Sequence, residues 1–330
     1  MTDESDHFEW TRHQPPLNAD LIEELLALWA GVFQYSFQEA EQLLLGEEVG
    51  ENTDVIYVAR DGVQIAGTCH LTISRADPRL GGLGEVAVPD EFRRQGLATK
   101  LCEQARDEFF ARGGEALFLG TVNPGARRIY ERLGWRQLTG ATVMVCSKQS
   151  TPPDEFLEQW LRPNPGPWNV RVATSAIRVP MIPLALADHP WTILDANAGL
   201  CSTRHVEQNS CMGLYARYEQ VMKQGAAFAS WTDDNQLLGL ATVKMDGTVA
   251  RVDAFTHAFE QFGDRWQKLI CRAVKWTAER PISECIALIA AANETKQDAF
   301  RSVDFVEVSS DDDIVIGERT IETKRFRFGF

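Results

Sequence analysis

Arg93-Arg94-Gln95-Gly96-Leu97-Ala98-Thr99 is a stretch whose residue types could hold phosphate. It follows a short apolar run, Glu85-Val86-Ala87-Val88, and opens a helical pattern that runs from Leu97 to about Phe110. Gly96 and Ala98 let a ligand come close to the main chain. The first N–H groups of a helix find no acceptor inside it, and the helix dipole adds partial positive charge there. Arg93 and Arg94 add full charge and forked donors suited to phosphate oxygens. A second constellation lies downstream. The apolar run Ala116-Leu117-Phe118-Leu119 leads to Asn123-Pro124, then a helical stretch with Arg127, Arg128 and Tyr130, then Gly134-Trp135. Asn123 suits an N-cap, Pro124 the first helical position and Gly134 the residue just past a helix end. Tyr130 supplies a phenol, which can protonate a leaving group.

The order is strand, phosphate loop, helix, strand, Asn-capped helix with a tyrosine, then glycine and an aromatic residue. This order resembles the GNAT superfamily of N-acetyltransferases over roughly residues 5 to 147. Arg93, Gly96 and Ala98 match its acyl-CoA loop; Asn123, Ala126, Tyr130, Gly134 and Trp135 match its second signature. The resemblance implies acetyl-CoA as co-substrate, with its pyrophosphate held by Arg93 to Thr99. It also implies that the strand Glu85 to Val88 splays from the one ending near Asn123. The pantetheine arm would lie between them, bonded by the main chain of Val86, Ala87 and Val88, which would also polarise the thioester carbonyl. Tyr130 takes the role of general acid. Asn123 holds the pantetheine or orders its own helix. Arg127 and Arg128 face the 3′-phosphate or form a solvated basic surface. Glu85 is the nearest carboxylate and a candidate general base, beside a water relay and, more weakly, His70. Strand alternation would set Glu85 and Ala87 opposite Val86 and Val88. Phe33-Gln34-Tyr35 lies where the family shapes its acceptor pocket.

The elements that must position these residues form an α/β pattern. Phe8 to His13 reads as a strand, Leu17 to Phe33 as a helix capped by Asn18 or Asp20, and Phe37 to Leu45 as a second helix. Val55 to Ala59 and Val63 to Ser74 form a hairpin about Asp61-Gly62, and Arg75 to Gly84 reads as a loop. Gln137 to Cys146 closes the unit as a strand or hairpin. Residues 148–167 are rich in proline and read as a linker around a short helix, Glu155 to Leu161.

The second half echoes the first. Gln236-Leu237-Leu238-Gly239-Leu240 parallels Gln64-Ile65-Ala66-Gly67-Thr68, and Asn293 to Phe305 parallels Asn123 to Trp135. The chemistry is missing from the copy. The glycine pattern is broken around Gln261-Phe262-Gly263-Asp264-Arg265-Trp266; Phe300 stands for Tyr130, and Asp304 for Gly134. The expected fold is therefore α/β of the mixed α+β kind: two tandem GNAT-like domains, each a central, partly splayed mixed sheet flanked by helices. Residues 1–147 would be the catalytic domain and 168–330 a degenerate copy.

Length and charge bound the rest. A chain of 330 residues suggests two domains. A net charge of −14 argues against nucleic acid as a partner and suits a cationic acceptor. The seven cysteines are odd in number, show no CxxC spacing and mostly fall in apolar runs, so they read as buried reduced thiols. With an acidic start and no long apolar run, a cytoplasmic protein without a membrane partner is expected. Metal-ligand clusters and a Gly-x-Ser-x-Gly motif are not seen. The expected activity is acetyl transfer to a primary amine, on a small molecule or a peptide, by a monomer with internal pseudo-symmetry or a homodimer. An acyl-CoA sensor without turnover and an aminoacyl-tRNA-dependent peptidyltransferase are the alternatives.

Overall fold

The structure, a computed structural model, describes residues 7–162, 166–257, 264–308 and 313–329. The chain divides into two compact units. The first runs to Leu138 and adds Thr142–Pro153 and Asn209–Met212; the second takes Thr139–Ala141, Asp154–Gln208 and the residues from Gly213 onward.

The first unit contains β1 (Glu9–His13), α1 (Ala19–Phe33), the short α2 (Glu41–Leu44), β2 (Asn52–Asp61), β3 (Gln64–Ser74) and β4 (Leu80–Ala87). It continues with α3 (Leu97–Ala111), β5 (Ala116–Gly120), α4 (Pro124–Arg132), β6 (Arg136–Gln137) and β7 (Val143–Ser147). The strands form one sheet in the order β1-β2-β3-β4-β5-β7-β6. Every neighbouring pair is antiparallel except β4 and β5. Those two pair from Leu80 opposite Ala116 to Gly82 opposite Phe118, and beyond that point they part.

Alternation along β2 explains the two layers of helices. Val55 and Tyr57 pack with Leu101, Ala105 and Phe109 of α3, whereas Ile56 and Val58 pack with Leu21, Ile22, Leu25 and Trp29 of α1. Asn18 caps α1 by accepting from the Leu21 N–H at 2.9 Å.

One expectation fails at β4. The stretch from Arg75 to Gly84 read as a loop because of its proline and glycines, but β4 already begins at Leu80. Its glycines answer a packing need: a Cβ on Gly82 would fall 2.2 Å from the Met212 sulfur of the same unit. Strict alternation fails too. Between the pairs His70–Gly84 and Thr68–Ala87, β4 carries one residue more than β3. The strand bulges there, and Glu85 has φ of +44°.

The second unit contains α5 (Pro153–Leu161), β8 (Trp168–Val172), α6 (Met181–Leu186), β9 (Ile193–Asp195), β10 (Leu200–Cys201), α7 (Gly213–Gln224), β11 (Gly225–Thr232), β12 (Leu237–Asp246) and β13 (Val249–Thr256). After these come α8 (Asp264–Ala278), β14 (Glu284–Ala290), α9 (Glu294–Arg301), β15 (Phe305–Val308), β16 (Ile314–Ile316), β17 (Arg319–Ile321) and β18 (Thr323–Phe328). Its main sheet has the order β15-β18-β14-β13-β12-β11-β8. Read from the other end, this is the first sheet again, with one parallel pair, β13 and β14, in the place of β4 and β5. The sequence echo is thus a duplicated fold of two seven-stranded mixed sheets with flanking helices. Gln261, Phe262 and Gly263 of the broken loop lie outside the described residues. Trp266 is buried in α8 and donates its indole N–H to the Ala254 carbonyl at 3.0 Å. Among the described residues no helix is long and apolar enough to cross a membrane.

Candidate active site

The parting of β4 and β5 opens a cavity of about 1500 Å³. One end is the loop into α3. Arg94 and Gly96 both take left-handed backbone there, with φ of +65° and +80°. Gly96 is the N-cap of α3 and has no side chain to bond the first turn. The N–H groups of Leu97, Ala98 and Thr99 are the ones a helix leaves without internal acceptors, so they are available to an anion. Arg93 is tethered, its Nε donating to the Val88 carbonyl at 3.1 Å and its Nη1 lying 2.6 Å from Asp90. The start of α4 differs. There Asn123 Oδ1 already accepts from the Gly125 and Ala126 N–H groups at 2.8 and 3.3 Å.

Most residues expected at the site are brought together. Glu85, Val86, Val88, Arg93, Arg94, Gly96, Leu97, Ala98, Thr99, Asn123 and Tyr130 all line the cavity. Three do not. Ala87 is buried against the α1 layer. Gln95 reaches only toward the Glu91 carbonyl. Arg127 pairs with Glu131 at 2.9 Å, and its neighbour Arg128 lines the cavity instead. Phe33 and Tyr35 line the cavity as well.

Tyr130 is almost fully buried, and its ring lies 6.2 Å from that of Trp135. Burial, with the nearby Cys102 and Cys69, pushes its phenol well above the ordinary tyrosine value, so it stays protonated at neutral pH.

Glu85 is held at several points. Its carbonyl accepts from the Thr68 hydroxyl at 2.8 Å, and that hydroxyl in turn accepts from the Trp29 indole at 3.0 Å. Its carboxylate Oε2 lies 2.9 Å from His70 Nδ1, while His70 Nε2 lies 2.9 Å from Asp54 Oδ1. Thr72 donates to that same Asp54 oxygen at 2.7 Å. Burial opposes a charge on His70, but the hydrogen bonds and charges of Asp54 and Glu85 outweigh it and bring the imidazole up to about 10. Asp54 and Thr72 escaped the sequence reading, although their alternation with His70 across neighbouring strands was there to be used. Asn209 and Ser210 also line the cavity, and no local motif marked them.

Comparison with known proteins fits this geometry. The family described as the acetyltransferase (GNAT) family matches residues 22–135. That match lies within the first unit. The chain is 41% identical over 63 residues to an acetyltransferase of Agrobacterium fabrum, covering 19% of this chain and 45% of that one. It is 34% identical over 83 residues to N-alpha-acetyltransferase 30 of Schizosaccharomyces pombe, covering 24% of this chain and 55% of that one. The chain thus spans about half the length of the curated relatives it matches. Solved structures similar to it include an acetyltransferase of Salmonella typhimurium with its cofactor acetyl-CoA, at 14% identity and a TM-score of 0.37, covering 49% of this chain and 94% of that one. A phosphinothricin acetyltransferase of Sinorhizobium meliloti in complex with acetyl-CoA gives 10% identity and a TM-score of 0.40, covering 48% and 86%.

Proposed function

We propose that the first unit is a GNAT domain that transfers the acetyl group of acetyl-CoA to a primary amine by direct attack. The observation that carries this reading is the cavity between β4 and β5, which joins an uncapped helix start flanked by Arg93 and Arg94 to a carboxylate at Glu85. The N–H groups of Leu97 to Thr99 hold the pyrophosphate, and the main chain of Val86 to Val88, which β5 does not pair, meets the pantetheine arm. The Glu85 carboxylate takes a proton from the acceptor ammonium. The neutral nitrogen then attacks the thioester carbonyl, and the main chain of β4 donates to the oxyanion. The C–S bond breaks, and the Tyr130 phenol gives its proton to the thiolate. The second nitrogen proton of the adduct returns to the phenolate. The products are the amide, free CoA and one proton. Acetyl-CoA is a co-substrate, and no step uses a metal.

The second unit, in this reading, keeps the scaffold and has lost acyl-CoA binding. Titration of acetyl-CoA into the protein by calorimetry tests both statements. One site of micromolar affinity is expected, weakened about tenfold or more in Arg93→Ala through loss of a charge-assisted contact. Two sites would restore function to the second unit. Absence of binding would remove the acetyltransferase reading.

A further inference from the structure

We infer that His70 and Asp54 are positioning residues for acetyl transfer, a buried ion chain that fixes the Glu85 carboxylate toward the acceptor. This rests on Glu85 being the base in the function proposed above.

Three charged groups line up across three strands: Asp54 on β2, His70 on β3 and Glu85 on β4. Each His70 nitrogen lies 2.9 Å from a carboxylate oxygen. Two carboxylates accept but cannot donate, so the imidazole fits this place best with both N–H groups present, as imidazolium. The Asp54 side chain is only 1% exposed. A carboxylate so buried needs a partner of opposite charge, and His70 provides it, with the Thr72 hydroxyl as a second donor. Glu85 differs, for its side chain is about a quarter exposed and it lines the cavity. Two carboxylates and one imidazolium sum to one negative charge, and Glu85 is the member that can show it to a ligand.

Both His70 protons are committed, so the chain works as a holder and not as a proton wire. Oε2 of Glu85 takes the imidazolium bond and Oε1 is left for the acceptor. The bulge makes such a holder necessary. Glu85 sits where β4 leaves its regular pairing with β3, so sheet register alone does not aim it. Asp54 and Glu85 are the charged groups that face His70 from β2 and β4; on β3 itself its polar neighbour is Thr72, with Nε2 and Oγ1 3.3 Å apart.

Nitrogen-15 NMR of histidine-labelled full-length protein tests the charge state without any acceptor, with His70 assigned by its loss in H70Q. One imidazole should remain doubly protonated up to about pH 9 in the native protein and titrate at lower pH in E85Q. Titration near 6.5, or no response to E85Q, overturns the inference. Acetylation of a panel of primary amines, followed by free-thiol release, tests the positioning role. H70Q should lower kcat on any amine the native protein accepts by about 10²-fold, with the Kd for acetyl-CoA unchanged. In the E85Q background, H70Q should add little, because His70 acts through Glu85. Full additivity would show a merely structural histidine and sink the idea. Should H70Q not fold, D54N in the same two backgrounds separates these outcomes in its place. If no amine is acetylated at all, the proposed function falls, whereas the NMR result still decides the state of His70.

Discussion

Both sheets part at the same place, after three residue pairs of their one parallel pairing. In the first unit the parting leaves a cavity of about 1500 Å³. In the second unit the corresponding strand meets protein. Lys296 of α9, wholly buried, brings its Nζ to 2.5 Å from Asp253 of β13 and to 2.9 and 3.3 Å from the Leu194 and Ile193 carbonyls. Asp253 also accepts from the Ala196 N–H at 2.6 Å. Lys296 stands three residues past Asn293, as Ala126 stands three past Asn123. Small at one position and long at the other, this pair separates the two openings. Phe300 and Tyr130 differ too: both are buried, but Tyr130 carries a hydroxyl and lines the cavity of the first unit. A sheet that splays supplies a place for a ligand; whether a ligand can enter depends on what the neighbouring helix puts there.

The largest effect should come from attacking the filled opening. Lys296→Met leaves Asp253 buried without its counter-charge; burial already pushes that carboxyl up against the pull of Lys296. A loss of about 3–5 kcal/mol is expected on chemical denaturation. An unchanged midpoint would mean that the pair does not hold the second unit together. In the open unit, Tyr130→Phe makes the position match Phe300. The expected loss is about 10²-fold in kcat with acetyl-CoA affinity kept. An unaltered rate would take the phenol out of the reaction.

A third effect, read as a change with pH, concerns the buried cation of the first unit. His70 titrates at a value raised in the fold from 6.5 to about 10. Its stabilisation is therefore complete below about pH 6.5 and is lost as pH rises through about 10. Urea midpoints of the first-unit transition should fall between these limits, and H70Q should flatten the slope. A native slope that equals that of H70Q would place the pH dependence elsewhere.

The site was legible where a local rule sets it. The loop into α3, the Asn123 cap and the bounds of α4 follow from glycine, asparagine and proline acting on their own backbone. What needed the fold was missed. Gly81 and Gly82 look like loop residues until the Phe109 ring and Met212 are seen against them. Arg127 and Arg128 are adjacent in sequence but about 100° apart around a helix, so only the structure tells which one faces the cavity. His70 read as no more than a weaker candidate base because its two partners sit 16 and 15 residues away on neighbouring strands.

Glu85 is also a residue in the wrong conformation for its type. Its φ of +44° lies in the left-handed region, where a side chain costs about 1 kcal/mol and glycine costs none. By the needs of the backbone alone, glycine is the better choice at 85. That backbone cost is set against the carboxylate's bond to the buried His70 imidazole, so the residue is kept by what its side chain does and not by its backbone. Local backbone strain thus sits at the one residue proposed to accept the acceptor's proton.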